Sequence, residues 1–308
     1  MVVTEALAGA LLESRDVLVD LAVEACGNLP AAGEVGAAGL GRDREPVRNG
    51  HAECGHLGEA DPLPPEKLTA PTRVLGEVED VAHLRGESTL DRRVGRILAM
   101  GGRSDSLEDA LLELGGPRVC LVPTASGDES WQLVRFYESF AHRAEATHIS
   151  FNPWPPANVR EHILRQDVVY VSGGNTANAL AIWRAHGFDA VLREAWEQDV
   201  LLSGWSAGMI CWFEAGVTDS FGPELEGMRD GLGFLAGSAC PHYDGEESRR
   251  PAYRALVDGG FPAGYAADDG AALHFVGGVL REVIASLEGA CGYRVEPGAE
   301  SPIAARLL

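Results

Sequence analysis

From Val94 onwards, the sequence alternates between short apolar runs and amphipathic segments of helical length. The runs are nearly continuous in Val, Ile and Leu, a pattern typical of parallel strands that are buried on both faces. The strand-like runs cover residues 96–100, 118–123, 146–151, 167–173, 199–206, 264–268 and 272–278. The helical segments cover residues 106–114, 129–143, 158–166, 176–186 and 190–198. This alternation predicts an α/β domain of three layers, with helices on both faces of a mostly parallel sheet.

The first 93 residues have a different composition. The leucine spacing within residues 4–26 predicts one short amphipathic helix. Residues 27–93 are rich in Gly, Pro, Ala, Glu and Arg and show no sustained period, so they cannot bury enough apolar surface to offset their ordering entropy. Their His51, Cys54 and His56 lack a fourth ligand nearby, and we predict no metal there. We therefore expect residues 1–93 to form a mobile extension and residues 94–308 to form the catalytic domain.

The overall composition excludes several classes of protein. There are 46 acidic and 25 basic side chains, and the resulting net charge of -21 disfavours binding to nucleic acid or to anionic lipid. The sequence contains neither an apolar stretch of membrane-spanning length nor the layout of a signal peptide, so we expect a cytoplasmic protein. The six cysteines form no CxxC pair and are expected to be mostly buried thiols.

The sharpest local pattern is GWSAG, residues 204–208, which follows a strand-like run directly. In such a GxSxG turn, or nucleophile elbow, glycines are needed on both sides because the serine occupies a cramped strand-to-helix connection. The turn exposes the hydroxyl of Ser206 and directs the next amide, that of Ala207, towards the group under attack. We predict Ser206 as a nucleophile and Ala207 as one donor of an oxyanion hole.

A nucleophilic serine needs a general base, and His242 in the polar segment CPHYD, residues 240–244, is the candidate. Unlike the other histidines of this half, it lies outside the helix-like and strand-like runs and can reach the carboxyl edge of the sheet. A carboxylate must then orient the imidazole. Asp219 lies between the serine and the histidine and is the predicted acid, with Glu224 and Glu226 as alternatives.

A second glycine cluster, SGGNT at residues 172–176, ends one strand-like run and begins a helical segment. Its exposed backbone makes the Gly174 amide the second predicted oxyanion donor. Gly173, Asn175 and Trp205 flank these groups and are the predicted substrate-binding residues. The patterns GxGxxG and GxxxxGK[ST] are absent from the sequence, so we expect no nucleotide cofactor.

Other polar residues near the site are expected to have structural roles. Asp268 and Asp269 either hydrogen-bond the site or cap a turn before a strand, and the sequence favours the cap. Arg229, Arg249 and Arg250 lie near the triad in sequence, and one of them would have to meet the carboxylate of an acidic substrate. Solvated surface arginine is the favoured interpretation of all three.

Taken in order, GGNTAN (173–178), GWSAG (204–208), CPHYD (240–244) and ADDGAAL (267–273) resemble the peptidase E family of serine peptidases, which includes α-aspartyl dipeptidases and cyanophycinases. The segments AMGG (99–102) and VPTASGD (122–128) are also similar, so the resemblance covers about residues 95–295. It implies a flavodoxin-like, class I glutamine amidotransferase-like fold, with serine in place of the amidotransferase cysteine.

The same resemblance implies a Ser206–His242–acid triad with oxyanion amides from Gly174 and Ala207, and its position for the acid favours Asp219. We therefore expect a monomeric or homodimeric serine peptidase that cleaves small peptides, including dipeptides with N-terminal Asp, without a metal or cofactor. This chain has SAGMI (206–210) where the family's dipeptidases have SAGAN, a difference that bears on substrate preference. The alternatives are a non-catalytic ligand-binding member of the same fold and an esterase of the α/β-hydrolase fold.

Overall fold

The structure is a computed structural model that describes residues 94–308. The predicted extension, with its helix and its His51–His56 cluster, lies outside the described residues. Helices are α1 (Asp105–Gly115), α2 (Ser130–Phe140), α3 (Val159–Leu164), α4 (Thr176–Ala185), α5 (Phe188–Glu197), α6 (Ala207–Ile210) and α7 (Arg249–Asp258). Strands are β1 (Arg96–Met100), β2 (Arg118–Val122), β3 (Glu145–His148), β4 (Val168–Val171), β5 (Leu201–Trp205), β6 (Phe213–Thr218), β7 (Glu226–Met228), β8 (Leu235–Cys240), β9 (Gly264–Ala267), β10 (Ala271–Val276), β11 (Val279–Ala285), β12 (Gly292–Glu296), β13 (Ala299–Ile303) and β14 (Ala305–Leu307).

The larger of two sheets has eight strands in the order β14-β11-β10-β1-β5-β4-β2-β3. The strands from β1 to β3 in this order run parallel to one another, whereas β10 pairs antiparallel with β1. The carboxyl ends of β1, β5, β4 and β2 therefore meet at one edge of the sheet. The predicted mostly parallel sheet is confirmed.

Helices cover this sheet on both faces. Successive residues of a strand point to opposite sides of the sheet, so each strand contributes to two buried clusters. On one face, Leu98 of β1 belongs to a buried cluster with Leu111 of α1 and Phe140 of α2. On the other face, the adjacent Ile97 belongs to a cluster with Trp183 of α4. The strands are therefore buried on both sides, which explains the continuous apolar runs of the sequence. The two buried clusters confirm the predicted three layers.

A second sheet has six strands in the order β13-β12-β9-β8-β6-β7, and the sequence pattern does not predict it. Its central strand β8 runs parallel to both β6 and β9. The sequence of β8, LAGSAC, is built largely from small residues, so it lacks the bulky apolar run by which the strands of the larger sheet were recognised. Helix α7 packs on this sheet through Tyr253 and Val257.

Each predicted strand and helix between residues 96 and 206 has a counterpart within a few residues of the predicted bounds. The agreement is poorer beyond Ser206, where only β9 and β10 were predicted. The helix after Ser206 is a single turn, α6, and the chain then enters β6. No helix within residues 94–308 is both long and apolar enough to cross a membrane.

Leu202 of β5 is fully buried, so its truncation tests the packing that supports the serine turn. We expect Leu202→Ala to lower the free energy of unfolding by about 2–5 kcal/mol, because a buried leucine leaves a cavity. The matched control is Leu287→Ala, because the Leu287 side chain is 58% exposed. This substitution should lower the free energy of unfolding by less than about 0.5 kcal/mol. Urea denaturation measures both, and equal losses would contradict the described packing.

Candidate active site

Ser206 forms the connection between β5 and α6, with φ 57° and ψ −114°. This conformation is uncommon for a residue with a β-carbon. The flanking glycines are required by packing. A β-carbon on Gly204 would lie 2.8 Å from the Cα of Gly208, and one on Gly208 would lie 2.4 Å from the carbonyl oxygen of Val171. The turn therefore fits against the end of β4 only if both positions are glycine.

His242 and Asp269 follow two neighbouring parallel strands of the second sheet. His242 comes after β8 and Asp269 after β9, and the register pairs Cys240 with Ala266. As a result, His242 Nδ1 and Asp269 Oδ1 are 2.6 Å apart. The Asp269 backbone amide in turn donates to Asp244 Oδ1 at 2.8 Å. A carboxylate at Nδ1 fixes the proton there and leaves Nε2 as the basic nitrogen.

The structure does not bring the predicted acid, Asp219, to the His242 ring. Asp219 is exposed at the end of β6, and Glu224 and Glu226 are exposed nearby. Within residues 94–308, Asp269 is the only carboxylate bonded to the His242 ring. Of the two roles considered for Asp269, a hydrogen bond to the site and a turn cap, the structure shows the first. The reason is the pairing of β8 with β9, which joins two segments that are distant in sequence.

Ser206 and His242 line one cavity of about 440 Å³. Gly173, Gly174 and Trp205 also line it, so five predicted site residues lie together. The described residues show no hydrogen bond between Ser206 Oγ and the His242 ring. In enzymes without substrate this bond is often long and shortens only when the substrate is bound.

The two predicted oxyanion donors are the backbone amides of Gly174, which lines the cavity, and Ala207, which follows Ser206 directly. Within residues 94–308, neither the Gly174 N–H nor the Ala207 N–H donates to another protein group. Gly174 has φ 135°, and the next amide, that of Asn175, donates to the carbonyl oxygen of Ala125 at 2.7 Å. That bond anchors the turn and leaves the Gly174 amide available.

The predicted substrate-binding residues divide into two groups. Gly173 packs against the serine turn, since a β-carbon there would lie 3.3 Å from Ser206 Cβ, and Trp205 lines the cavity beside it. Asn175 is instead committed to the fold. Its Oδ1 accepts from the Asn178 amide at 2.9 Å as the N-cap of α4, and its Nδ2 donates to the Ser220 carbonyl at 2.9 Å.

A buried charged network behind Trp205 was not predicted from the sequence. Arg103 Nε donates to Glu108 Oε1 at 2.6 Å, and Glu108 is fully buried. The hydroxyl of Tyr170 donates to the same carboxylate oxygen at 3.2 Å. The Trp205 ring packs 4.8 Å from the Tyr170 ring and 6.0 Å from the Arg103 guanidinium carbon. The network thus supports the residue that precedes the serine.

The remaining candidates have structural partners. Burial raises the pKa of Cys211 and of Cys240, so neither thiol ionises readily as a nucleophile. Burial also raises the pKa of Asp268, whose Oδ2 accepts from the Cys291 amide at 3.0 Å and from the Tyr293 hydroxyl at 3.1 Å. Across residues 94–308, no group of three His, Cys, Asp or Glu side chains is arranged to hold a metal ion.

The three arginines considered for an acidic substrate are also engaged. Arg229 Nη2 donates to the Gly260 carbonyl at 2.9 Å. Arg249 is buried and donates to Glu246 and to the Val217 carbonyl. Arg250 pairs with Glu300 and stacks on two tyrosines.

Comparison with known proteins assigns the chain to a family. The sequence model described as "Peptidase family S51" matches residues 97–283, a span that includes Ser206, His242 and Asp269. This chain belongs to peptidase family S51. The "Uncharacterized peptidase YgaJ" of Bacillus subtilis (strain 168) is 47% identical to this S51 peptidase over 212 residues, covering 65% of this chain and 91% of YgaJ.

Two crystal structures share the fold of this S51 peptidase. One is a peptidase from an acI-B1 Actinobacterium, with a TM-score of 0.52 and 17% identity, covering 70% of this chain and 96% of that one. The other is a putative peptidase E protein from Listeria monocytogenes EGD-e, with a TM-score of 0.50 and 16% identity, covering 62% and 98%. The resemblance to the peptidase E family is confirmed, and with it the peptidase fold.

The backbone of Ser206 makes a testable contribution to stability. Because its β-carbon is strained at φ 57°, we expect Ser206→Gly to be more stable than Ser206→Ala, which keeps that carbon. The strain destabilises the folded state by about 1–3 kcal/mol, which glycine would relieve. The greater backbone entropy of glycine in the unfolded state offsets about 0.5–1 kcal/mol of this gain. Denaturant unfolding of the two variants measures the difference, and a less stable glycine variant would refute the strained turn.

Proposed function

We propose that this S51 peptidase hydrolyses small peptides by serine catalysis, with Ser206 as nucleophile, His242 as general base and Asp269 as the orienting acid. One observation carries the proposal: the histidine that Asp269 holds lines the same cavity as a serine on a strained turn. The cavity volume of about 440 Å³ lies within the range of small-ligand sites, about 300–1,000 Å³.

The reaction follows from the roles of these groups. As Ser206 Oγ forms a bond to the peptide carbonyl carbon, its proton passes to His242 Nε2. The C–N bond then breaks, and His242 returns that proton to the leaving amine, which gives an acyl-enzyme. Water repeats the sequence: its proton passes to His242, its oxygen attacks the ester carbon, and the proton returns to Ser206 as the acid product leaves.

The role of Asp269 is electrostatic and orienting. Its bond to Nδ1 selects the tautomer in which Nε2 is basic, and its negative charge stabilises the imidazolium that forms during attack. The side chain is held closely, because a β-carbon on Gly102 or on Gly245 would lie 2.1 Å from one of its carboxylate oxygens. The adjacent strands and glycines therefore support the orientation that the mechanism needs.

The negative charge that develops on the carbonyl oxygen in the transition state requires hydrogen-bond donors. The amide of Gly174 lies on the turn after β4, and the amide of Ala207 lies directly after Ser206. Each donor of this kind contributes about 3–4 kcal/mol to transition-state stability in comparable sites. Their lack of protein acceptors within the described region supports this role.

Two alternatives make different predictions. A non-catalytic binding protein of this fold would have a serine of ordinary reactivity. An esterase would hydrolyse activated esters but no peptide. The strained serine turn and the oriented histidine favour the enzyme over the binding protein, and membership of a peptidase family favours peptides over esters.

Ser206 is tested by labelling and by turnover. We expect a fluorophosphonate probe to label the wild-type protein and not Ser206→Ala. Peptide hydrolysis should fall by about 10⁵–10⁶-fold in that variant, because no other group supplies the nucleophile. Full turnover by Ser206→Ala on a panel of dipeptides would eliminate the mechanism.

The choice of acid is tested by a matched pair of amide substitutions. Asp269→Asn should lower kcat by about 10³–10⁴-fold, because an amide stabilises the wrong imidazole tautomer. Asp219→Asn, at an exposed site without contact to the ring, should leave kcat within about twofold of the wild type. Steady-state kinetics on one dipeptide compare the two, and a larger loss at Asp219 would return the role to that residue.

A further inference from the structure

The cavity shared by Ser206 and His242 has an unusual charge. Among the described residues that line it there is one carboxylate, that of Glu129, and no arginine or lysine. His242 is the only other ionisable side chain of the lining apart from hydroxyl groups. The electrostatic environment of the reacting carbonyl therefore favours a cationic group of the substrate over an anionic one.

Glu129 is held at a defined position. It is the N-cap residue of α2, and its Oε2 accepts a hydrogen bond from the indole N–H of Trp131. Within residues 94–308, its Oε1 has no hydrogen-bond partner. Trp131 is 54% exposed and lines the same cavity. A carboxylate oxygen and an indole ring side by side are the two groups that bind an ammonium ion best.

The arginines described above do not line this cavity and have protein partners elsewhere. Arg103, behind Trp205, is bonded to the buried Glu108. Arg229, Arg249 and Arg250 are engaged elsewhere, as described above. The carboxylate of an N-terminal Asp side chain would therefore enter a cavity that already contains Glu129 and has no arginine or lysine in its described lining.

In an amino-terminal residue, the charged α-nitrogen lies close to the carbonyl carbon of the first peptide bond. Its α-nitrogen is separated from its own carbonyl carbon by a single Cα atom, a distance of about 2.5 Å. A serine that attacks the first peptide bond must therefore have the α-ammonium group in the same cavity. Glu129 is the anionic group that this cavity provides.

We propose that Glu129, with the Trp131 ring, binds the free α-ammonium group of the substrate, and that the first side chain is neutral or basic and not aspartate. This specificity rests on the proposed peptidase function. The enzyme would then cleave the first bond of short peptides with a free amino terminus, and acylation of that terminus would remove its main electrostatic contact.

Binding tests the proposal without turnover. In the Ser206→Ala background, isothermal calorimetry with Ala-Ala and N-acetyl-Ala-Ala should show that Ala-Ala binds at least about tenfold more tightly, as expected for a charge-assisted hydrogen bond. Adding Glu129→Gln should abolish this difference. The matched control is Glu138→Gln, an exposed residue on α2, which should preserve it. Equal affinity for the two ligands in Ser206→Ala, or an unchanged preference after Glu129→Gln, would overturn the proposal.

Turnover separates this proposal from the peptidase function. Glu129→Gln should raise KM for Ala-Ala by about tenfold while kcat and fluorophosphonate labelling of Ser206 stay close to wild type. The wild-type kcat/KM should be higher for Ala-Ala than for Asp-Ala, and the reverse order would overturn the neutral-residue preference. If wild-type protein bound Ala-Ala through Glu129 but neither cleaved it nor reacted with the probe, the peptidase function would fail while the ammonium site stood.

Discussion

The candidate site depends on the close approach of two β-sheets at Gly101, directly after β1. A β-carbon on Gly101 would lie 2.3 Å from the carbonyl oxygen of Asp268, so only glycine allows the end of β1 to meet the end of β9. The preceding residue, Met100, accepts a hydrogen bond from the Ser206 amide at 3.3 Å. One short turn thus contacts both the serine connection and the segment that bears Asp269, and it constrains the distance between Ser206 and Asp269.

The elements of the larger sheet were predictable because their cause is local in sequence. Each strand between residues 96 and 206 is buried on two faces and must be nearly continuous in apolar residues, and each helix needs one apolar stripe. Ser206 was predictable for a similar reason, since the glycines at 204 and 208 are imposed by the turn itself. His242 was found by comparing the segments in which the histidines lie, which requires only a coarse assignment of secondary structure.

The contact of Asp269 with His242 could not be predicted in this way because it arises from a non-local strand pairing. The strand β8 is composed mainly of small residues, and without it nothing in the sequence shows that residue 242 and residue 269 end adjacent parallel strands. Proximity in sequence favoured Asp219 instead. Glu129 was not predicted for a related reason: the sequence shows it only as the first residue of a helical segment, and the fold brings it to the wall of the serine's cavity.

The division of the proposed triad between two sheets has a consequence for the order in which its members are synthesised and folded. The nucleophile belongs to the first sheet, whereas the base and the acid follow strands of the second, which are synthesised later. A nascent chain that has folded only as far as α6 has a serine without a proton acceptor. Under the proposed mechanism, hydrolysis therefore begins only after β8 and β9 have joined the fold, so a partly synthesised chain has no complete catalytic site.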